Sequence, residues 1–265
     1  MIPAPKTWLW TVLLAIAMGA ALPAPGFTQT YVRGGVLLDR AQDTRFTDKD
    51  CESELPAALY GCGMGVDGKA LSSVGDFGSM PGLEVGLGYI LHPTLRLEAG
   101  IQYRPDFSFE GSSNFSGLEL SDRRDVSAEL SQLSGMLAAY VDIFELLLLQ
   151  YVSPVGPFIG VGGGLSVIDI GDTRMDFPQT YTIVPGGSQV NFSWMVTAGI
   201  GIHLRGRTAV DIAWRYTDHG AVETPNGDGR VVWRDGSREP LPLNLGGTKG
   251  RLRSHGLNIS LRYTF

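Results

Sequence analysis

Five residues near the C-terminal end of the chain are of the types that carry out nucleophilic catalysis. They are Asp218, His219, Glu223, Ser254 and His255. This chemistry needs a serine within hydrogen-bond reach of a histidine, and an acid that orients the histidine. Asp218 and His219 are neighbours in sequence, so in a strand their side chains point to opposite faces. The pattern therefore favours ordinary polar residues at the rim of a fold, and we expect no enzyme activity.

The sequence supports metal or cofactor binding no better than it supports catalysis. The histidines are scattered through the chain, and no two of them have the spacing of metal ligands. Residues 63–68 match G-x-G-x-x-G, but a dinucleotide site needs that motif between a strand and a helix. The net charge of −6 argues against nucleic acid as a partner. We therefore expect no cofactor, no metal ion and no nucleic acid.

The chain has two cysteines, Cys51 and Cys62. Upstream of them, Lys6 precedes an apolar run at residues 8–18, and small residues and prolines continue to position 26. A basic start, a short apolar core and small residues are typical of a secretory signal peptide. We predict such a peptide over residues 1–26, with cleavage between 21 and 28. Export places both cysteines in an oxidising compartment, where a disulfide between them is expected.

The elements that position all these residues are strands. In many segments apolar residues alternate with charged or small ones, and a strand places successive side chains on opposite faces. The regular segments are 83–91, 95–104, 192–202, 210–216 and 257–265, and the less regular ones are 28–39, 130–143 and 158–170. The sequence therefore predicts an all-β fold with eight amphipathic strands.

The connections between these strands alternate in length. Short turns at 92–94 and 205–207 and a medium segment at 143–157 share one side. Long polar segments lie on the other side, at about 40–80, 105–128, 171–190 and 217–250. This asymmetry, with strands of about ten residues, is typical of an antiparallel up-and-down transmembrane β-barrel of the outer-membrane type. We predict that residues 27–265 form this barrel.

The direction of the apolar face decides between a membrane barrel and a soluble one. A soluble eight-stranded barrel would turn its apolar face inward. Its interior is only wide enough for closely packed side chains, too narrow for every large apolar residue of these strands. The opposite face carries eight charges, Arg33, Glu84, Arg96, Glu98, Arg104, Asp211, Arg215 and Arg262. We therefore predict that the apolar face meets lipid and that these charges pair in the lumen.

In the last predicted strand, apolar and polar residues alternate up to the terminal aromatic residue, Phe265. Its apolar face consists of Leu257, Ile259, Leu261, Tyr263 and Phe265. This strand resembles the C-terminal signal by which the bacterial outer-membrane assembly machinery recognises its substrates. Further motifs are YVRGG at 31–35, VGPFIGVGGG at 155–164, WRYTD at 214–218 and LRYTF at 261–265.

With these motifs, the mature chain resembles the small eight-stranded outer-membrane proteins of the opacity/OmpA-like barrel family. The resemblance implies export to the outer membrane of a Gram-negative bacterium, with outer-membrane lipid, lipopolysaccharide and the assembly machinery as partners. A monomer is expected. Because some barrels of this size modify lipid A with a rim histidine, a serine and an acid, such an enzyme is a third hypothesis.

The leading hypothesis is a structural and surface-interactive barrel, and the second is a small passive pore. Lumen charges of both signs, five arginines against three acids, favour a plugged interior over a pore. In the last long segment, Asp235 and Gly236 predict a hairpin turn after a short apolar run. Trp233 lies there among Arg230, Arg234 and Arg238. We expect either an extension of the strands or a contact with anionic lipopolysaccharide or an external or host ligand.

Overall fold

A computed structural model of the chain describes residues 29–115, 125–147 and 154–265. The expected signal peptide lies outside the described residues, as do parts of two expected connections. The described residues form fourteen strands and one short helix, α1 (Ile143–Leu146). The strands are β1 (Gln29–Ala41), β2 (Thr44–Asp48), β3 (Ser73–Asp76), β4 (Ser79–His92), β5 (Leu95–Ser113), β6 (Val126–Asp142), β7 (Val155–Ile170), β8 (Thr173–Asp176), β9 (Thr180–Val184), β10 (Gly187–His203), β11 (Thr208–Glu223), β12 (Gly227–Trp233), β13 (Leu241–Leu245) and β14 (Thr248–Thr264).

Eight long strands of the described chain, β1, β4, β5, β6, β7, β10, β11 and β14, form a closed antiparallel barrel. The last strand closes it against the first, from Tyr31 opposite Thr264 to Ala41 opposite Ser254. Each of the other strands pairs with the next long strand along the chain, which is up-and-down topology. The predicted all-β, eight-stranded barrel is confirmed.

The two ends of the barrel differ. At one end, Pro93 and Thr94 join β4 to β5, and residues 204–207 join β10 to β11. The chain terminus is at the same end, where the Phe265 amide donates to the Thr30 carbonyl over 2.9 Å. We call this the turn end, and we call the opposite end, where the long connections lie, the loop end.

The long connections are largely folded as β-structure. Above the ends of β1 and β4, β2 and β3 continue the wall between β14 and β5. Beyond β7, β8 pairs with β6, and β9 links β8 to β12, which forms a hairpin with β13. The wall strands are also longer than the alternation indicates, because β5 runs to Ser113 and β11 runs to Glu223. The barrel wall therefore extends well beyond the segments predicted from the sequence.

The first long connection carries the disulfide. Cys51 and Cys62 are bonded, with their Cα atoms 4.9 Å apart. The Asp48 carboxylate, at the end of β2, accepts backbone N–H groups of Leu59, Tyr60 and Gly61 over 2.7–3.2 Å. The bridged loop is therefore tied to the wall at both ends.

The outer wall of the barrel is an apolar band. Outward positions on the strands carry Leu97, Ile101, Ile212 and Leu261, while the intervening side chains are buried in the lumen. Aromatic residues lie near the turn-end edge of this band, where the rings of Tyr263 and Phe265 make an edge contact. Among the described residues, no helix has the length and hydropathy that a membrane crossing requires. This apolar band is the surface that the alternation predicts to face lipid.

A matched pair of exposed leucines tests this assignment. Leu261 is 54% exposed on the wall, and Leu55 is 85% exposed in the disulfide loop. We expect Leu261→Arg to destabilise the protein in lipid vesicles by about 1–2 kcal/mol, because a lipid-facing arginine is costly but the cost falls from the midplane toward the edge of the band, near which Leu261 lies. Leu55→Arg should change stability little. Urea unfolding measures both, and equal effects would contradict a lipid-facing Leu261.

Candidate functional site

The centre of the lumen holds two arginines and two glutamates. Arg33 Nη2 lies 2.7 Å from Glu98 Oε1 and 3.0 Å from Glu84 Oε1, and Arg215 Nη1 lies 2.8 Å from Glu84 Oε2. We call these four residues the central cluster. They meet because each occupies an inward position of a different wall strand, β1, β4, β5 or β11. All four side chains are buried, so each charge depends on its partners for the interactions that water would otherwise provide.

Neutral groups complete the bonding of the two glutamates. Tyr31 Oη donates to Glu98 Oε2 over 3.1 Å, and Asn258 Nδ2 donates to Glu84 Oε1 over 2.7 Å. The Tyr140 hydroxyl accepts from Arg33 Nη2 over 3.3 Å. The carboxylates are thus held by charged and uncharged donors together, which is how a buried ion pair becomes tolerable.

Glycines on neighbouring strands make room for these long side chains. A Cβ at Gly86 would lie 2.8 Å from Glu98 Oε1, and one at Gly88 would lie 2.0 Å from the Tyr31 ring. Both positions therefore require glycine, because the Glu98 and Tyr31 side chains approach the backbone there too closely for a Cβ atom. The small residues that alternate with the apolar band leave the space that the charged network fills.

A second group, the lower cluster, lies toward the turn end. Arg96 forms two bonds with Asp142, Nε to Oδ2 at 3.0 Å and Nη2 to Oδ1 at 3.2 Å. Arg262 binds Asp211 in the same forked way, at 3.0 Å and 3.2 Å. Arg96 Nη1 also lies 3.9 Å from Asp211, which links the two pairs. Such two-point contacts are the strong form of the arginine–carboxylate bond.

The upper cluster lies toward the loop end. Arg104 is fully buried, binds Asp39, and lies 3.4 Å from the amide oxygens of Gln102 and Gln132. Gln132 Nε2 in turn lies 2.6 Å from Nδ1 of His219. The chain of contacts thus begins at a wall carboxylate and ends at a buried histidine.

The described lumen therefore contains five carboxylates for its five arginines. The sequence analysis placed three acids there, and the structure adds Asp39 and Asp142. The alternation could have indicated that both face inward. Asp39 lies on the same face of β1 as Arg33, and Asp142 lies on the same face of β6 as Tyr140. The eight charges named from the sequence all lie in the lumen, and each pairs with an opposite charge.

Above the upper cluster the barrel is filled by apolar side chains, which we call the apolar plug. Its centre consists of aromatic rings, with Phe46 and Phe109 at 4.9 Å and Phe77 and Phe109 at 5.2 Å between centroids. It also includes Phe107, Met80, Leu130, Ile168, Ile170, Met175, Val222 and Leu252. The sequence analysis expected mainly small and charged inward residues, and it missed this plug because the wall extends beyond the predicted strands.

The space left in the lumen is small. The cavity beside the central cluster, lined by Arg33, Glu84 and Glu98 among others, measures about 10 Å³. That volume holds about one water molecule. A concavity of about 750 Å³ is lined mainly by outward residues of β4–β7, such as Leu87, Leu137 and Val161, and it faces lipid. The described lumen is therefore closely packed around the central cluster.

The candidate catalytic residues do not form a working triad. His219 Nε2 does lie 2.9 Å from Ser254 Oγ. Because Arg104 can only donate, it faces the Gln132 amide oxygen, and the Gln132 NH₂ group then donates to His219 Nδ1. His219 Nε2 consequently carries the hydrogen and donates to Ser254, so the ring cannot take the serine proton. Both side chains are buried as well.

The expected rim position of His219 is wrong. The strand β11 continues past it to Glu223, so the histidine lies inside the lumen. Asp218 points to the opposite face, as predicted, where Arg251 binds it at 2.8 Å. Glu223 pairs with Lys49 and His255 is exposed on the outer wall. In the described residues, no group of histidine, cysteine and acidic side chains could hold a metal ion.

Comparison with known proteins agrees with this architecture. A family model described as "outer membrane protein beta-barrel domain" matches residues 10–265. A search of curated protein sequences finds no match. Similar solved structures include outer membrane protein OprG from Pseudomonas aeruginosa, at 13% identity and a TM-score of 0.48, covering 89% of this chain and 95% of that one.

Two further structures resemble the fold. Neisserial surface protein A has 14% identity and a TM-score of 0.41, covering 89% of this chain and 97% of that one. Ail, the attachment invasion locus protein of Yersinia pestis, has 9% identity and a TM-score of 0.34, covering 87% of this chain and 97% of that one. At these identities the likeness concerns the fold alone.

Glu98→Gln tests the central cluster, because it removes one charge and keeps the shape of the side chain. Arg33 and Arg215 would then share the single carboxylate of Glu84. We expect a loss of about 3–5 kcal/mol in unfolding free energy, because the lumen is dry. Glu239→Gln, at an exposed loop position, is the control and should be neutral. Urea unfolding that shows a neutral Glu98→Gln would mean that water screens the cluster.

Proposed function

The chain belongs to the outer-membrane β-barrel domain family, and from that premise we propose a closed, non-catalytic barrel that supports the envelope and presents its loop end to the surroundings. Family membership places it in the outer membrane of a Gram-negative bacterium. Short turns of such barrels lie in the periplasm and long loops lie outside. The turn end is therefore periplasmic and the loop end extracellular.

The observation that carries this proposal is the blocked lumen. Two obstacles lie in series along the barrel axis, the paired charges and then the apolar plug. A water-filled pore needs a continuous open path, but the cavity beside the paired charges and the cavity in the apolar plug each measure about 10 Å³, room for about one water molecule. A barrel that neither conducts nor catalyses acts through its wall and its extracellular surface.

The last strand supports assembly and a monomeric state. Leu257, Ile259, Leu261, Tyr263 and Phe265 line its outer, lipid-facing side. We assign to this strand the recognition signal for the outer-membrane assembly machinery. Because β14 closes against β1 of the same chain, the barrel has no free strand edge to complete with a second copy.

An ordered platform of arginine and aromatic side chains lies at the extracellular end. Arg174 lies over the Tyr181 ring at 4.0 Å and binds Asp176, which also binds Arg234. The hydrogen bond from Arg174 lowers the pKa of the Asp176 carboxyl, so this acid stays ionised in mildly acidic surroundings. The ion pairs of Asp176 with Arg174 and Arg234 are therefore retained in mildly acidic surroundings.

The β12–β13 hairpin adds the exposed part of this platform. Arg238 lies 5.5 Å from the centre of the Trp233 ring, and Arg230 is exposed on β12. These side chains offer cations beside an aromatic surface, which suits an anionic external partner. We propose this hairpin as the contact surface of the protein.

Substitution of the hairpin arginines tests the contact surface. The double variant Arg230→Gln and Arg238→Gln should bind dextran sulfate, a model polyanion, on the order of tenfold more weakly in micelles, since each exposed ion pair contributes up to about 1 kcal/mol. The control is Arg205→Gln with Arg207→Gln, which removes the same charge at the turn end. Similar losses in both variants would show a general charge effect and contradict a dedicated hairpin surface.

Planar-bilayer recording separates the closed barrel from the passive pore. The refolded protein should insert without steady ion conductance, because the lumen is filled by paired charges and apolar rings. A pore-forming barrel in the same bilayer serves as the positive control. Stable open-channel currents from the parent protein would refute the proposal and favour the pore.

A further inference from the structure

The outer face of β14 changes from apolar to basic along its length. Toward the turn end its outward side chains are Leu257, Ile259, Leu261 and Tyr263. Toward the loop end its outward side chains are Lys249, Arg251, Arg253 and His255. The change occurs at the upper edge of the lipid-facing band, so the basic residues start where the hydrocarbon ends.

Neighbouring strands contribute more cations at the same level. Arg40 lies on β1 opposite His255, and Arg45 faces outward on β2, which pairs with β14. On the far side of β1, Arg40 is opposite Ser79, which carries no charge. We call the five outward bases the basic stripe, namely Arg40, Arg45, Lys249, Arg251 and Arg253.

Two carboxylates of the adjoining strand β11, Asp218 and Glu223, lie at the height of the basic stripe. They do not neutralise its positive charge. Asp218 Oδ2 lies 2.8 Å from Arg251 Nη2 and 3.3 Å from Arg253 Nε. Glu223 is already paired with Lys49 at 2.7 Å. Asp43, exposed between β1 and β2, is a third acid near the stripe. Because Glu223 is bound elsewhere, Asp43 and Asp218 are two acids against five bases, so the stripe keeps an excess of positive charge.

Asp218 also holds the two arginines in position. Its side chain is only 4% exposed, while the side chains of Arg251 and Arg253 that bind it are 56% and 44% exposed. Arg253 uses only its Nε toward Asp218, which leaves its two Nη groups directed away from that bond. A guanidinium fork of this kind matches the oxygens of a phosphate, and a fixed fork loses little entropy on binding.

The depth of the stripe in the membrane identifies its partner. Arg253 is four residues beyond Leu257, which is about 10 Å along the axis for a tilted strand. The headgroup layer extends roughly 5–8 Å beyond the hydrocarbon on each side. The long side chains of Arg253 and Arg40 thus reach the phosphate level of the outer leaflet.

We infer that the basic stripe is a binding site for the phosphate groups of lipid A, located on the seam where β1 and β14 close the barrel. This inference rests on the orientation given in the proposed function, with the loop end outside. It does not depend on whether the lumen conducts. The lipid would bind with its acyl chains along the apolar face of β14 and its phosphates on the stripe.

Lipid A with and without its phosphates provides the test. The refolded protein in micelles is titrated with diphosphoryl lipid A, with the dephosphorylated lipid and with phosphatidylglycerol, and native mass spectrometry measures bound lipid. The diphosphoryl lipid should bind at least roughly tenfold more tightly than either other lipid, since each basic residue near an anionic lipid contributes on the order of fivefold.

Matched charge-removal variants locate the site. Arg40→Gln with Arg253→Gln should weaken diphosphoryl lipid A binding roughly 25-fold, because these two side chains reach the phosphate level. This pair leaves Asp218 bound to Arg251, so the fold should be retained. Arg230→Gln with Arg238→Gln, which removes equal charge from the extracellular hairpin, should leave lipid A binding unchanged.

Several results would overturn the site. They are equal binding of the three lipids, equal loss in the two double variants, and no loss in the Arg40 and Arg253 variant. Conductance measured on the same preparation keeps the two proposals separate. Open-channel currents with intact lipid A binding would refute the closed barrel alone, and a silent barrel without lipid A preference would refute the site alone.

Discussion

A lumen too narrow for water must neutralise every charge that it contains, and this constraint organises the whole structure. An isolated buried charge costs several kcal/mol, and an ion pair recovers that cost only when its geometry is good and its remaining bonds are made. Here the arginines and carboxylates are matched in number, and tyrosine, asparagine and glutamine side chains supply further bonds. The paired charges therefore fill the lumen below the apolar plug and crosslink its strands.

The same constraint determines the outer wall. Below the apolar plug, charged, polar and small residues take most inward positions, so most large apolar residues of these strand segments face outward, where lipid receives them. The charged network crosslinks strands far apart in sequence, since Arg33 on β1 meets Glu98 on β5 and Glu84 on β4 meets Arg215 on β11. At the seam where β14 closes against β1, the outer face changes with depth, from apolar residues to the bases near the loop end.

The period-2 alternation was sufficient to predict the barrel, the lipid face and the inward position of the eight named charges, because facing depends only on position within a strand. The pairing of these charges was harder to predict from the sequence. Which carboxylate meets which arginine depends on strand register and side-chain reach, so Asp39 and Asp142 were left out although both lie on the inward face. The apolar plug and the buried His219 were missed because β5 and β11 continue beyond the regular alternation, where the wall is held by contacts with distant loop strands.

The most direct test of the dry, self-neutralised lumen is a double-mutant cycle on Glu84 and Arg215. Glu84→Gln, Arg215→Met and the double variant are each unfolded by urea in lipid vesicles, and the coupling free energy is taken from the four stabilities. A buried pair in a dry lumen predicts a coupling of about 2 kcal/mol or more, toward the upper part of the range for residues in direct contact. A coupling of about 0–0.5 kcal/mol, as for solvent-exposed pairs, would show a hydrated interior and contradict the account.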